Sequence, residues 1–203
     1  MPAPPPRTSL VESAAAALAA VVPTTRLAAE VQAHVCAYLE THGAAALTRD
    51  LPEHLTASTL VLDEALTHTL LCFHRKGGFW VQPGGHVDPT DDDLLAGALR
   101  ELQEETGLSR VRPVAGGPAD VDRHALSGAF GRCTWHLDVG YAVIADRSDD
   151  VVVSAESTDV AWFPLDALPP GAAGGLADRL ARARAVAAAR LGRGSPAADA
   201  APS

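Results

Sequence analysis

The sequence has few cysteines and few aromatic residues. It contains three cysteines in 203 residues, and Cys36, Cys72 and Cys133 are isolated, without any C-x-x-C pair. This odd number at wide spacing argues against a disulfide framework and is typical of reduced thiols in a cytoplasmic protein. Aromatic residues make up only 4% of the chain, while apolar residues reach 47%. We therefore expect a core built mainly from alanine and aliphatic side chains.

Positive charge and long apolar runs are also scarce. Lys and Arg number 16 against 25 Asp and Glu, for a formal net charge of -9. Because proteins that bind nucleic acid need a basic surface, we expect no nucleic-acid partner. The apolar stretch at residues 10–22 is interrupted by Glu12 and is too short to span a bilayer, so we expect a helix there and no membrane association. An acidic protein can still bind a phosphate-bearing substrate if a cation mediates the contact.

The chain divides into three predicted parts. Residues 1–55 hold a Pro/Ala-rich tail and a helical extension, with helices over about 9–22 and 26–41. Residues 56–170 form the predicted catalytic domain, with strand patterns at 59–63, 69–73, 79–82, 111–114, 136–144 and 159–165. Residues 171–203 hold a helix over 176–191 and a tail that we expect to be disordered.

The most informative stretch is residues 84–108. An apolar stripe at helical spacing predicts a helix over residues 91–106, with Thr90 or Asp91 as its N-cap and Gly107 after its C-terminus. The stripe consists of Leu95, Ala98, Leu99 and Leu102. The helix also carries three glutamates at i, i+3 and i+4, which places them on one face. They are Glu101, Glu104 and Glu105.

Carboxylates far outnumber cations in this stretch, where Arg100 is the single basic residue between Asp88 and Glu105. Arg100 can pair with Glu104 four residues later, whereas Glu101 and Glu105 have no obvious partner in the sequence. Carboxylates this close need raised pKa values or a bound cation, and Mg²⁺ prefers oxygen ligands. The spacing alone is compatible with a metal site or with an exposed acidic helix.

Residues 100–108, Arg-Glu-Leu-Gln-Glu-Glu-Thr-Gly-Leu, together with Gly84-Gly85, resemble the signature of the Nudix hydrolases. That signature is Gly, five residues, Glu, seven residues, then Arg-Glu-apolar-any-Glu-Glu-any-Gly-apolar. Its second half is matched in full. In the first half, Gly85 lies one residue too far from Arg100, and Asp91 or Asp92 replaces the glutamate. We expect the additional residue to be absorbed around Pro89, before the helix.

The resemblance implies an α/β/α sandwich with a mixed sheet, to which the N-terminal helices are added. It also implies a Mg²⁺ (or Mn²⁺) ion held by Glu101, Glu104 and Glu105 and by a loop carbonyl, which we assign to Gly85. The implied reaction is hydrolysis of a phosphoanhydride in a small-molecule substrate, a nucleoside diphosphate linked to another moiety. Glu101 or Glu156 would orient the attacking water or accept its proton, and Arg100 would hold the carboxylates in place.

Other polar residues near the glycine loop have two interpretations each. Candidate substrate-binding residues are Arg75, Lys76 and His86. Exposed surface charge is the ordinary interpretation of the first two. His136 and Asp138 face one side of a predicted strand, with His124 in the vicinity. They are expected to form either a second metal site or a hydrogen-bonded His–Asp pair.

Two other functions stay open within this resemblance. A non-catalytic Nudix module that senses a nucleotide would be expected to lack the signature glutamates, which are all present here. An enzyme of the isopentenyl-diphosphate isomerase branch would use a catalytic cysteine, but none of the three cysteines lies in a motif of that branch. The hydrolase is therefore the favoured interpretation, and no additional motif marks a particular substrate.

Overall fold

The structure, a computed structural model, describes residues 9–126, 133–154 and 157–192. The helices are α1 (Leu10–Ala19), α2 (Arg26–His42), α3 (Leu94–Thr106) and α4 (Leu176–Arg190), and a short 3-10 helix spans Gly43–Leu47. The strands are β1 (Glu53–Asp63), β2 (His68–His74), β3 (Phe79–Val81), β4 (Gly84–His86), β5 (Val111–Pro113), β6 (Asp120–Ala125), β7 (Trp135–Ala145) and β8 (Ser157–Pro164). Among these residues, no helix is long and apolar enough to cross a membrane.

The described strands form one mixed sheet. Its main order is β3-β2-β1-β7-β5, while β4 pairs with β1, β6 with β7 and β8 with β2. The central strands β1 and β7 run parallel over their whole length, and the other pairings given above are antiparallel. The predicted mixed sheet is confirmed.

Helices cover both faces of the sheet. Successive side chains of β1 and β7 point to opposite faces, and both strands have buried apolar residues on each face. On one face, Leu55 and Leu137 belong to a buried cluster that includes Leu18 of α1, Val35 of α2 and Ala98 of α3. The opposite face carries a second cluster, in which Leu60, Leu62 and Ile144 pack with Leu176 and Leu180 of α4. The predicted α/β/α sandwich with an N-terminal helical extension is confirmed, and α1 and α2 contribute directly to its core.

The ends of α3 show one correct prediction and one error. Gly107 follows the helix in the left-handed conformation, with φ of 74°, and its N–H donates to Gln103 O, as the sequence predicts. The N-cap is neither Thr90 nor Asp91. Asp93 takes this role because its carboxylate accepts the N–H of Ala96 at 2.7 Å, so the helix begins at Leu94.

Three strand segments were not predicted, namely the first half of β1, the short β4 and all of β6. In these segments the side chains on one face are largely polar, as with His54, Thr56 and Ser58 of β1. Leu55 and Ala57 are buried on the other face, and their burial stabilises this part of the strand. A search for runs of apolar residues therefore misses strands whose second face lines a polar cleft.

Helix α4 is fixed to the sheet by a buried ion-pair network. Arg179, only 3% exposed, donates through Nε to Asp120 and places Nη2 2.7 Å from Asp138 Oδ2. The Nη2 group makes no well-aligned hydrogen bond, so its contact with Asp138 is an ion pair. Arg182 donates to the second oxygen of Asp120 at 2.6 Å. Burial alone would lower the pKa of Arg179, but Asp138, Asp120 and Asp122 outweigh it and raise that pKa.

We expect Arg179→Ala to reduce the free energy of unfolding by about 3–5 kcal/mol, because it leaves the buried carboxylate of Asp138 without a counter-charge and removes one of the two cations that pair with Asp120. The matched control is Arg182→Ala, which removes the same charge from a side chain that is 28% exposed and should cost about 1 kcal/mol or less. Urea denaturation followed by circular dichroism measures both. Equal losses for the two variants would contradict this assignment.

Candidate active site

The acidic face of α3 lies against the glycine strand β4. Glu105 is 8% exposed, and its carboxylate accepts the backbone N–H of Gly84 at 2.9 Å. Gly85 lies against Glu101, because a Cβ built at position 85 would be 2.7 Å from the Glu101 carboxyl carbon. Glycine is the residue that permits such a close approach. The fold thus brings the glycine pair together with two of the candidate glutamates, while Glu104 lies at the exposed rim.

Arg100 lies at the centre of this cluster. Its Nε and Nη2 donate to the two oxygens of Asp91 at 3.0 Å each, and Nη2 also donates to the carbonyl of His86 at 3.0 Å. Its Nη1 donates to Glu101 at 2.9 Å and to Glu104 at 3.2 Å. The hydrogen bonds to Asp91, followed by those to Glu101, raise the pKa of Arg100 despite its partial burial. The guanidinium therefore connects the loop, β4 and the acidic face of α3.

Two expectations about partners are wrong. Glu101 does have a cationic partner, because Arg100 reaches its own neighbour as well as Glu104. Glu105 also has a partner, the backbone N–H of Gly84. Sequence spacing did not reveal either contact. The Arg100–Glu101 contact depends on the conformation of the arginine side chain, and the Gly84–Glu105 contact joins residues 21 positions apart. The net charge of Asp91, Arg100 and the three glutamates is still negative.

The structure identifies Asp91, rather than Asp92, as the acid that replaces the first glutamate of the signature. Asp91 has a side chain only 6% exposed, whereas Asp92 is exposed. Gly97 leaves room for it, because a Cβ at that position would lie 2.8 Å from Asp91 Oδ2. Since Asp91 follows Gly85 at the signature spacing, the additional residue lies between Asp91 and Arg100. The predicted location around Pro89 is wrong.

The acidic cluster borders a cleft of about 100 Å³ on the face of the sheet that carries α4. Glu105 and Gly84 line one part of the cleft, and Asp138 lines another. Phe79 also lines it, and its ring is stacked on that of His74 with centroids 5.9 Å apart. The mixture of aromatic and polar walls suits a small-molecule ligand.

Asp138 lies at the base of this cleft and is held by hydroxyl groups that sequence reasoning missed. Thr56 Oγ1 donates to Asp138 Oδ1 at 2.8 Å, and Ser58 Oγ donates to Oδ2 at 2.5 Å. Burial by itself would raise the pKa of Asp138, but Arg179 and these hydrogen bonds hold it at about 2. The signal for these hydroxyls was the alternation of polar and apolar residues in the first half of β1.

The expected His136–Asp138 pair does not form among the described residues. Its place is taken by His124 and Asp122, whose Nδ1 and Oδ2 atoms are 2.8 Å apart on β6. His136 instead faces other histidines: its ring centroid is 5.2 Å from that of His86. The side chain of His86 therefore points into a histidine cluster, and only its backbone carbonyl contacts Arg100 directly.

The remaining candidate residues lie in an exposed turn or outside the described residues. Arg75 and Lys76 are exposed in the turn between β2 and β3. Arg75 Nη2 donates to the carbonyl of Ser157 at 3.4 Å. Glu156 lies outside the described residues, so its candidate catalytic role stays a prediction.

Comparisons with known proteins agree on one family. The NUDIX domain model matches residues 52–183. Over 43 residues the chain is 69% identical to the m7GpppN-mRNA hydrolase NUDT17 of Bos taurus, a match that covers 21% of this chain and 14% of that protein. Over 87 residues it is 31% identical to the asymmetrical bis(5'-nucleosyl)-tetraphosphatase of Rattus norvegicus, covering 43% and 56%. The chain thus spans less than two thirds of either curated relative.

The fold is also similar to that of solved structures. The C. elegans Ap4A hydrolase, solved as a binary complex, superposes with a TM-score of 0.56 and 20% sequence identity. That match covers 66% of this chain and 98% of the nematode chain. At this level of identity the similarity supports the fold alone.

We expect Asp91→Ala to reduce the free energy of unfolding by about 1–3 kcal/mol, because Arg100 loses its bidentate partner. The neighbouring Asp92→Ala removes the same charge beside the same helix terminus and should change stability by less than about 0.5 kcal/mol. Thermal unfolding measures the difference, which should appear as a lower Tm for Asp91→Ala. A larger loss for Asp92→Ala would show that the two acids have been assigned in the wrong order.

Proposed function

The chain belongs to the Nudix family, and on that premise we propose that it is a metal-dependent hydrolase that cleaves a phosphoanhydride. Its proposed substrate is a small molecule in which a nucleoside diphosphate is linked to another moiety. The observation that carries this proposal is the placement of Glu101 and Glu105 against Gly85 and Gly84, at the edge of the cleft.

The donor set at this position suits Mg²⁺ or Mn²⁺. Carboxylate oxygens and a backbone carbonyl are the ligands that hard divalent cations prefer. Glu104, Glu105 and the carbonyl of Gly85 are the proposed ligands, and Glu101 either joins them or orients water. When bound, such a cation neutralises charge on the diphosphate and lowers the pKa of a coordinated water.

The protein's own residues then position the reacting groups. Glu101 is the described candidate for orienting the attacking water or accepting its proton, and Glu156 is the other candidate. Arg100 acts as a positioning residue. Its five N–H groups donate to Asp91, Glu101, Glu104 and the carbonyl of His86, rather than to a substrate. Attack in line with the leaving phosphate would complete the hydrolysis.

The residues that line the cleft support a nucleotide as substrate. The stacked rings of Phe79 and His74 offer an aromatic wall for a base, and the glutamates lie where a cation could hold the diphosphate. The two curated relatives are named for a capped mRNA and for a dinucleoside tetraphosphate. Both names describe a nucleoside joined through phosphates to a second group. The net charge of -9 favours a small molecule over RNA.

The two alternatives receive less support. Cys72 is buried in β2, where burial and the nearby Glu105 raise the pKa of its thiol, so it is a poor nucleophile for an isomerase. A nucleotide sensor would not need all three glutamates of α3. Formation of a nucleoside monophosphate and of the phosphate ester of the second moiety, from a panel of nucleoside diphosphate derivatives with Mg²⁺ and with Mn²⁺, distinguishes the hydrolase from both alternatives.

We expect Glu105→Gln to lower kcat by at least ~100-fold on any substrate found in that panel, because the cation site loses one negative charge. The control is Glu64→Gln, which removes a charge from an exposed ion pair with Arg112 and should leave kcat unchanged. Steady-state kinetics over a range of Mg²⁺ concentrations measures both. Near wild-type turnover and metal dependence in Glu105→Gln would falsify the assignment.

We also expect Arg75→Ala/Lys76→Ala to raise KM about 3- to 10-fold at low salt with little change in kcat, since these cations would attract an anionic substrate to an acidic protein. The matched control is Arg110→Ala/Arg112→Ala, which removes equal charge at the β5 edge of the sheet. Kinetics at low and high salt test the pair. If both double variants shift KM equally, only net charge matters and neither Arg75 nor Lys76 binds substrate.

A further inference from the structure

Three histidines meet on the sheet beside the cleft, which His136 also lines, and the proposed hydrolysis assigns a role to none of them. His54 of β1 is the direct parallel partner of His136 of β7. The ring of His86, on β4, lies 4.9 Å from that of His54 and 5.2 Å from that of His136, measured between centroids. One ring nitrogen of each histidine lies within 4.8 Å of those of the other two. Three imidazoles therefore converge from three different strands.

Hydrogen bonding within the described residues does not account for this convergence. The Nε2 atoms of His54, His86 and His136 are buried, and none has a hydrogen-bond partner there. A buried polar atom that loses its hydrogen bond to water destabilises the fold unless something replaces that bond. Three such atoms within one cluster of rings indicate a shared occupant.

The state of the rings suits a metal ion. His54 Nδ1 lies 3.0 Å from the carbonyl oxygen of Leu51, which can only accept, so Nδ1 carries the proton and Nε2 keeps its lone pair. Metal-binding histidines commonly donate their other N–H to a carbonyl in this way. The rings of His86 and His136 each bring one nitrogen within 4.8 Å of that of His54, so the three can reach a common ion.

We propose that His54, His86 and His136 bind a transition-metal ion, with Zn²⁺ as the expected ion, at a site separate from the carboxylates of α3. Imidazole nitrogens suit Zn²⁺ and its neighbours in the transition series, whereas Mg²⁺ prefers oxygen. Three histidines with a fourth position left for water form a recurrent zinc site. His124 lies nearby, with its ring 5.5 Å from that of His136 and its Nδ1 held by Asp122. It is the candidate for the fourth position.

The proposed ion would tie β4 to the two central strands. His86 belongs to the same three-residue strand as Gly84 and Gly85, and its carbonyl accepts from Arg100. Binding at the histidines would therefore hold the strand that faces the acidic cluster. The positive charge of Arg49 acts on His54 and His86 and would repel a cation bound there. Because Arg49 is exposed, solvent and salt screen this repulsion.

The test uses the full chain in buffer containing excess Mg²⁺, with Co²⁺ as a spectroscopic probe and Zn²⁺ as its competitor. We expect one Co²⁺ per chain with the visible absorption of a nitrogen-ligated ion, displacement by stoichiometric Zn²⁺, and a Tm raised by about 5 °C or more at saturating Zn²⁺. His86→Gln should weaken Zn²⁺ binding by at least ~100-fold. The control His34→Gln changes an exposed histidine of α2 and should bind as the wild type does.

Two further measurements separate this site from the carboxylate site and from loss of folding. Glu105→Gln should keep its Zn²⁺ affinity even where its hydrolysis is lost, so the two proposals can fail independently. X-ray absorption of the zinc-loaded wild type should show three imidazole ligands without any variant being needed. The proposal is overturned if Zn²⁺ does not bind stoichiometrically, if its ligand shell consists of oxygen, or if His86→Gln binds it as tightly as the wild type.

Discussion

The arrangement of the candidate active site depends on one guanidinium. Arg100 contacts Asp91 on the loop, Glu101 and Glu104 on α3 and the carbonyl of His86 on β4. Because the donors of a guanidinium lie in a rigid plane, acceptors that share it are fixed relative to one another. The loop, the glycine strand and the acidic face thus behave as one unit. The same contacts offset part of the repulsion that so many carboxylates would otherwise produce.

Sequence reasoning succeeded where the determinants of structure are local. The C-terminus of α3 follows from Gly107, which can adopt a positive φ, and from the apolar stripe before it. The N-terminus was not predictable in the same way, because Asp91, Asp92 and Asp93 are all competent N-caps. Arg100 takes Asp91 as its partner, so the capping role goes to Asp93. A contact across the loop decided the local structure.

The floor of the cleft was the least predictable part of the fold. Strands are recognised by apolar residues, but the first half of β1 presents Thr56 and Ser58 to Asp138. This polar surface is compatible with burial only because Arg179 arrives from α4 and neutralises the carboxylate. Residues near the end of the described chain therefore complete a network that begins on β1. Single-sequence patterns contain no information about such a distant partner.

Strand alternation explains how two sites of different chemistry can adjoin on β4. Successive residues of a strand point to opposite faces of the sheet, so Gly85 lies against Glu101 while the ring of His86 lies beside His54. The glutamates of α3 thus approach β4 on the side of Gly85, and the imidazoles gather on the side of His86, next to Asp138 on β7. Since hard and borderline cations prefer these two donor types respectively, the ions proposed here would not compete. One short strand can then couple both sites through the backbone that Arg100 holds.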